Sequence, residues 1–326
     1  MTQTTDFLVR LHDLAVVRIE GEDAVDFLHT QLSNDISGMG DSDARLAAYC
    51  SPKGRMLGSM VVWNETGHPG SPLLALVRAD ILEPLLKRLR MFVLRAKVKF
   101  ELTELAVYGA TSSEHTESDS VWRVMRHDSA TRVSAPRTPD GPARWWVVCD
   151  DQTSATALAS QWGLTEYEGS AVWHAQDIEA GLGWVEQANA ELFIPQSLGY
   201  DLIGGVSFTK GCYPGQEVVA RAHFRGTVKR RAVPGYCEVA EGVTLEAGAD
   251  IFDAQHPRSP AGRIINAARV DAQGSVPSGW YVLMEVTLSD IGHADFRAVS
   301  AEGPAIRLLA LPYPLEFTDD DSADKA

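Results

Sequence analysis

Apolar residues follow two different spacings in the first 110 residues of the chain. Short apolar or alternating runs bounded by Gly and Pro are typical of strands, and they occur at 14–19, 44–50, 55–63, 73–78 and 97–109. Spacings of three and four residues predict helices over 22–32 and 81–91, the second capped by Asp80. The runs on either side of Ser51-Pro52-Lys53-Gly54 predict a hairpin. This mixture predicts an α+β unit with an antiparallel sheet.

The same two signals continue in the middle of the chain. Residues 111–120 are polar and acidic, and they predict a surface loop. Strands are expected over 121–126 and 143–149, and helices over 153–162 and about 169–180. These elements predict a second α+β unit.

The pattern changes after Pro234-Gly235. Short β-rich runs at 236–239, 261–270, 280–287 and 305–311 lie between Gly, Pro and Asp turns, which is typical of a small β-barrel. The acidic residues after Thr318 predict a disordered tail. The expected organisation is therefore in four parts: 1–110, 111–233, 234–317 and the tail 318–326.

Length and composition fit a globular protein with more than one core. The chain has 326 residues, 45% of them hydrophobic and 22% charged. The sequence contains no run of eighteen apolar residues, so no membrane-spanning helix is predicted. Residues 1–6 lack the basic start of a secretory signal. We therefore expect a cytoplasmic protein without a membrane partner.

The four cysteines are scattered along the chain. None forms a Cys-x-x-Cys pair or lies at ligand spacing from a histidine, so no metal site is predicted. Sparse, scattered cysteines also fit a reducing compartment. They stand at Cys50, Cys149, Cys212 and Cys237.

A basic stretch interrupts the acidic chain. The net charge is −15, which argues against a general nucleic-acid coat. Residues 205–231 nevertheless carry six Lys and Arg against Glu217 alone, so 6 − 1 = +5. The stretch is either an anion site or an ordinary solvated surface, and the charge count leaves both open.

Cys212 stands in a setting that favours reactivity. Gly211 and Gly215 flank it, Pro214 suits the first turn of a helix, and the spacing predicts that helix over 216–224. Within the helix, Glu217 and Arg221 can pair at i,i+4. The helix N-terminus and the nearby Lys210 both favour a thiolate, which can attack an electrophile or bind iron. The alternative is a packed, inert thiol.

Trp173 is the second candidate residue. It lies in the helix predicted over 169–180, where its indole could stack on a flat heterocycle. A tryptophan at helical spacing is also often an ordinary core residue. The spacing alone does not choose between the two.

Several segments resemble the YgfZ-type proteins, which are folate-binding relatives of the glycine-cleavage T-protein implicated in maturing or repairing iron–sulfur clusters. The strongest is the octet Lys210-Gly211-Cys212-Tyr213-Pro214-Gly215-Gln216-Glu217. The other segments that are similar in order and spacing lie at 31–35 (QLSND), 47–54 (AAYCSPKG), 193–196 (FIPQ), 204–208 (GGVSF) and 219–226 (VARAHFRG). Together the resemblance covers most of residues 10–235.

This resemblance implies a T-protein-like three-part fold around a central opening that holds tetrahydrofolate, with the small β-barrel at the C-terminal end. Cys212 and Lys210 match the thiol and the charged residue of the signature and are the candidate catalytic residues. The candidate folate-binding residues are Trp173, which matches a family tryptophan, together with Lys210, Tyr213, Arg221 and Arg225. A second family tryptophan is Leu14 here. Arginine and lysine can pair with the carboxylates of the folate tail.

The resemblance implies an accessory protein for assembly or repair of [4Fe–4S] clusters, with client enzymes or assembly proteins as transient partners. One alternative is a tetrahydrofolate-dependent aminomethyltransferase. T-proteins usually carry two aspartates where this chain has Leu57 and Gly58, and neither of these residues can accept a proton. The other alternative is an RNA-binding or tRNA-modification accessory protein. No known RNA-binding module is evident, so we expect no direct nucleic-acid binding.

Overall fold

A computed structural model describes residues 6–68, 70–113, 120–127, 130–150, 153, 155–225, 228–238, 242–271 and 278–315. The first strands and helices in chain order are β1 (Phe7–Arg10), β2 (Leu14–Glu20), α1 (Ala24–Gln31), β3 (Ala44–Cys50), β4 (Met56–Asn64), β5 (Leu73–Arg78), α2 (Leu82–Phe92), β6 (Lys99–Leu102) and β7 (Leu105–Ser112). The middle of the chain forms β8 (Val124–His127), β9 (Ala130–Ser134), β10 (Ala143–Asp150), α3 (Ala155–Trp162), β11 (Thr165–Tyr167), α4 (Ala171–Glu179) and α5 (Gln216–Phe224). The remaining strands are β12 (Arg230–Glu238), β13 (Asp250–Asp253), β14 (Gly262–Val270), β15 (Gly279–Thr287), β16 (Phe296–Ala298) and β17 (Ile306–Leu308).

The first sheet is antiparallel and has the order β3-β4-β5-β2-β6. Its hairpin and helices lie where the apolar pattern predicts them, and α1 and α2 bury their leucines against one face. The single strand predicted over 97–109 is instead two strands in different sheets, with β6 beside β2 and β7 between β1 and β10. The predicted Asp80 cap is also wrong, since this carboxylate accepts the backbone N–H of Gln187 at 2.9 Å.

The second sheet has the order β11-β1-β7-β10-β9-β8. It combines β1 and β7, from the first 112 residues, with strands that follow later in the chain. The strands β1, β9 and β11 were absent from the predicted pattern. Because this sheet spans the expected boundary near residue 110, the four-part division of the chain stays a prediction.

The third sheet has the order β16-β13-β14-β15-β12-β17 and is antiparallel throughout. Its two outer strands approach each other through a bridge between Arg297 and Ala305, so the sheet is nearly closed. This confirms the predicted C-terminal barrel, with two additional short strands, β13 and β16. The predicted tail 318–326 lies outside the described residues.

The interior between the sheets contains a group of tryptophans. Trp146 stacks on Trp122 at 6.1 Å and meets Trp173 and Trp184 edge-on at 6.2 and 5.9 Å. Beside them the buried Arg144 binds the Asp177 carboxylate at 2.6 Å. The α4 helix, which carries Trp173 and Asp177, also packs on β14 and β15. Within the described residues, no helix is long and apolar enough to cross a membrane.

Candidate functional site

Two of the segments that suggested the family are tied together by hydrogen bonds. The Ser33 hydroxyl donates to the Gly205 carbonyl at 2.7 Å and accepts the N–H of Ala48 at 2.8 Å. The Asn34 amide donates to the carbonyls of Leu46 and Gly204, both at 2.7 Å. These side chains are buried, so their polar atoms need such partners. The segment 31–35 therefore fixes the chain that leads into the Cys212 octet.

The hairpin turn at 51–54 touches the octet itself. Gly215 has φ +81°, and a methyl group at its Cα would lie 2.5 Å from the Ser51 carbonyl oxygen and 2.7 Å from the Gly54 Cα. A methyl group at Gly54 would lie 2.8 Å from the Val218 Cβ. Only glycine allows both the left-handed conformation and this approach. The two glycines thus bring the β3–β4 hairpin against the start of α5.

The α5 helix forms over the residues that the sequence predicts, but its start differs in detail. It begins at Gln216 with Gly215 as the N-cap, so Pro214 precedes the helix and does not lie in its first turn. The side-chain amide of the buried Gln196 donates to the Val219 carbonyl at 2.7 Å, and this hydrogen bond holds α5 against the segment 195–198. The Glu217–Arg221 pair is present at 2.6 Å, as predicted.

Cys212 is an exposed, free thiol in the loop before α5. The inert, packed alternative does not describe it, whereas the other three cysteines are buried. Lys210 lies close by, with its ammonium 4.8 Å from the centre of the Tyr213 ring. The Lys210 ammonium donates to the carbonyls of His29 and Leu32 at the end of α1, the second at 2.7 Å. Burial lowers the pKa of Lys210 to about 8.

Of the described arginines in the basic stretch, only Arg221 and Arg225 share a pocket, of about 230 Å³, and Glu217 lines it as well. Arg231 is buried and binds Asp201 with both amino groups, Nη2 to Oδ2 at 2.9 Å. Arg230 binds Glu285 at 2.9 Å, and Arg221 is paired with Glu217. Arg225 is exposed on α5. The charge count of +5 therefore reflects side chains that mostly hold the fold together.

Trp173 has no face open to a ligand. Its side chain is 0% exposed, the Arg144 guanidinium lies 4.1 Å from the ring centre, and a methyl group at Gly109 would lie 2.3 Å from a ring carbon. The expectation that a pterin stacks on this indole needs correction, because protein atoms already cover the ring. Leu14, at the second family tryptophan position, is likewise buried at the start of β2.

The structure instead contains a cavity of about 620 Å³, and none of the predicted site residues is among those that line it. Its lining comes from segments that are far apart in sequence. The lining residues are Asn34, Ala44, Arg45, Val121, Trp122, Pro136, Arg137, Ala180, Leu202, Ile203, Gly204, Pro312 and Tyr313.

Trp122 forms a fixed aromatic wall of this cavity. Its φ is +65°, a left-handed conformation that a bulky residue rarely adopts. The strain is held in place because its indole N–H donates to the Ile203 carbonyl at 2.9 Å and its ring stacks on Trp146 with an interplanar angle of 17°. Such strained residues concentrate at functional sites.

The polar part of the cavity lining is cationic or neutral. Arg45 and Arg137 provide guanidinium groups and Asn34 an amide, and none of the described lining residues is Asp or Glu. Arg45 is oriented by the Asp43 carboxylate at 3.3 Å and the Ala44 carbonyl at 3.2 Å. Tyr313 completes the wall, and its hydroxyl donates to the Gly181 carbonyl at 2.9 Å. The cavity can therefore hold a flat, partly apolar molecule with an anionic end.

Sequence reasoning missed this set because its members share no local motif. Trp122 follows a polar loop, Arg45 looks like one polar position in an alternating strand, and Tyr313 lies near the acidic end. Trp122 falls inside the strand predicted over 121–126, where an aromatic residue is ordinary, so no signal in the sequence singled it out.

The fold is that of the aminomethyltransferase T-proteins. The glycine cleavage system aminomethyltransferase T from Bartonella henselae superposes with a TM-score of 0.72, over 95% of this chain and 87% of that chain, at 13% identity. That likeness concerns the fold, and it confirms the predicted three-part architecture.

The sequence comparison narrows the class to one family. The tRNA-modifying protein YgfZ of Escherichia coli O157:H7 (strain EC4115 / EHEC) is 33% identical over 233 residues, which are 68% of this chain and 69% of the relative. The tRNA-modifying protein YgfZ of Escherichia coli (strain SMS-3-5 / SECEC) is 28% identical over 325 residues, with 95% of this chain and 94% of the relative covered. The chain belongs to the YgfZ family. A search of protein-family models gave no match.

Proposed function

We propose that this protein binds tetrahydrofolate in the cavity lined by Trp122, Arg45 and Arg137, and serves as an accessory protein for the assembly or repair of [4Fe–4S] clusters. The observation that carries the proposal is the cavity itself, with Trp122 as a fixed flat wall and two arginines in its lining. Its volume of about 620 Å³ lies within the range of cofactor sites, about 300–1,000 Å³.

The two parts of a folate correspond to two parts of the cavity. The pterin is flat and amphipathic, and it would lie along Trp122, because planar rings stack on an indole that is already held in place. The glutamate tail carries two carboxylates, which pair well with the planar guanidinium groups of Arg45 and Arg137. This pose replaces the predicted one on Trp173, whose ring is covered.

Cys212 would act outside the cavity. Its thiol is exposed, although it is not among the cavity-lining residues. Iron–sulfur clusters are commonly held by four cysteine thiolates. Within the described residues, no three His, Cys, Asp or Glu side chains come together as a metal site. Cys212 would therefore supply one ligand and a client protein the others.

The folate pose is tested by calorimetric titration with tetrahydrofolate. Trp122→Ala should weaken binding by about 1–3 kcal/mol, the usual scale for a lost stacking contact. Trp173→Phe and Arg225→Met are the matched controls, since they alter the predicted residues outside the cavity, and both should bind as the wild type does. Arg45→Met should weaken binding while Arg225→Met does not. Loss of binding only in the controls would refute the cavity pose.

The role of Cys212 is tested separately from folate binding. Cys212→Ala should leave the tetrahydrofolate titration unchanged, because Cys212 is not among the residues that line the cavity. The same variant should fail to restore cluster-dependent enzyme activity in cells that lack the protein. Full restoration by Cys212→Ala would remove the thiol from the proposal and leave folate binding standing.

The two alternatives have less support. An aminomethyltransferase needs a general base, and the described cavity lining offers no carboxylate, while Gly58 packs against Leu85. The names of the relatives concern tRNA modification. We infer that a link to tRNA modification is indirect, through modifying enzymes that need intact clusters. Salt-sensitive retention of tRNA by the pure protein would favour direct binding instead.

A further inference from the structure

A group of residues at the end of α2 belongs neither to the cavity lining nor to the Cys212 loop. Met91, Phe92 and Leu94 are exposed by 59%, 51% and 85%, although they stand within four positions of one another. Scattered exposed apolar residues are ordinary, but a contiguous group with a polar rim marks an interaction site. We refer to residues 87–99 as the α2 patch.

The exposure follows from how α2 packs. Leu82, Leu85, Leu86 and Leu89 bury one face of the helix against the first sheet. The helix ends at Phe92, and the following bend at Val93 directs the chain out of the helical path. The apolar residues beyond the buried face thus have no core to pack against and remain at the surface.

The charge of the α2 patch is opposite to that of the rest of the chain. Residues 87–99 contain six Lys and Arg and no Asp or Glu, so the remainder carries 23 − 44 = −21. Lys97 and Lys99 pair with Glu22, Glu20 and Glu101. Arg88 lies 3.5 Å from Glu191. Lys87, Arg90 and Arg95 have no ion pair within the part of the chain that the structure describes, and Arg90 and Arg95 directly adjoin the apolar side chains in sequence.

We propose that the α2 patch docks a protein partner that presents an apolar recess rimmed by carboxylates. Met91, Phe92 and Leu94 would fill the recess, where burial of apolar side chains provides most of the affinity. Lys87, Arg90 and Arg95 would face the carboxylates, which steer association and exclude basic partners.

The charge distribution favours a protein over a lipid surface or an RNA. A bilayer or a long RNA extends beyond the patch and would meet the acidic remainder of the chain, which it repels. Met91 and Leu94 also lack the flat rings on which bases stack. A protein recess of limited extent contacts the patch alone. This site is independent of the folate proposal, because none of its residues lines the cavity.

Site-specific photocrosslinking in cells tests the proposal. Benzoylphenylalanine replaces Leu94 in the full chain, and the same probe at Val299, which is 60% exposed just after β16, is the matched control. The protein captured from Leu94 and not from Val299 is then purified and titrated. Phe92→Ser with Leu94→Ser should lower its affinity by about tenfold or more, since each loses a buried apolar side chain. Lys87→Glu with Arg95→Glu should weaken binding further and abolish its dependence on salt.

Three outcomes would overturn the proposal: equal capture from both positions, unchanged affinity of the serine variants, and capture of RNA or lipid. Unchanged thermal unfolding of the serine variants verifies that they fold, as expected for exposed positions.

Discussion

Replacing Gly215 by alanine tests whether the contact between the hairpin turn and α5 holds the Cys212 loop in place. An alanine at this position would have to adopt φ +81°, and its methyl group would lie 2.5 Å from the Ser51 carbonyl oxygen. The left-handed conformation costs about 1–2 kcal/mol for a non-glycine residue. The collision with backbone atoms, which cannot rotate away, adds about 1–3 kcal/mol. The free energy of unfolding should therefore fall by about 2–5 kcal/mol.

A matched control separates the two costs. Gly163 has φ +66°, but nothing lies within 4 Å of a methyl group placed there. Gly163→Ala should therefore show the conformational cost alone, about 1–2 kcal/mol. Denaturant unfolding followed by tryptophan fluorescence measures both variants. The rate at which Cys212 reacts with a thiol reagent should change in Gly215→Ala and stay constant in Gly163→Ala. Equal destabilisation by the two substitutions would refute the close contact.

Two further predictions concern ion pairs, one buried and one partly buried. Asp201→Ala leaves the buried Arg231 charge unpaired and should cost about 3–5 kcal/mol of unfolding free energy, whereas the double variant with Arg231→Met should recover most of it; a double variant as unstable as the single one would contradict this. Burial opposes ionisation of Asp13, but the hydrogen bond and charge of His174 and the charge of Arg78 lower its pKa to about 2. Its ionised form therefore stabilises the fold above the unfolded pKa, by about 2 kcal/mol, and this contribution disappears as pH falls through about 2. Acid titration of stability should show wild type and Asp13→Asn converging between about pH 4 and about pH 2, and a constant difference would speak against the pair.

Features set by neighbouring residues could be predicted from the sequence. The β3–β4 hairpin lies around Ser51-Pro52-Lys53-Gly54, and α5 spans Gln216–Phe224, because turn residues and helical spacing act over a few positions. The short strands β1 and β11 gave no such signal. β1 pairs with both β11 and β7, and each of these partners is about a hundred residues or more away in sequence.

The candidate site depended even more on distant contacts. The basic stretch suggested an anion site, but Arg231 binds Asp201 30 residues away and Arg230 binds Glu285 55 residues away. A charge count cannot show such partners. Trp173 matched a family position and proved to be fully covered. The position of Trp122 depends instead on the Ile203 carbonyl and on Trp146, which are distant from it in sequence. The Cys212 loop was predicted as exposed and glycine-flanked, and its thiol is exposed.

Tyr313 forms part of the cavity wall, and this has a consequence for the order in which the protein matures. A ribosome releases residue 313 into solution only after nearly all of the preceding chain, so the pocket wall is incomplete during most of synthesis. The growing chain should then be unable to capture a ligand, however early its first two sheets form. Ligand capture would therefore report that synthesis has passed this tyrosine.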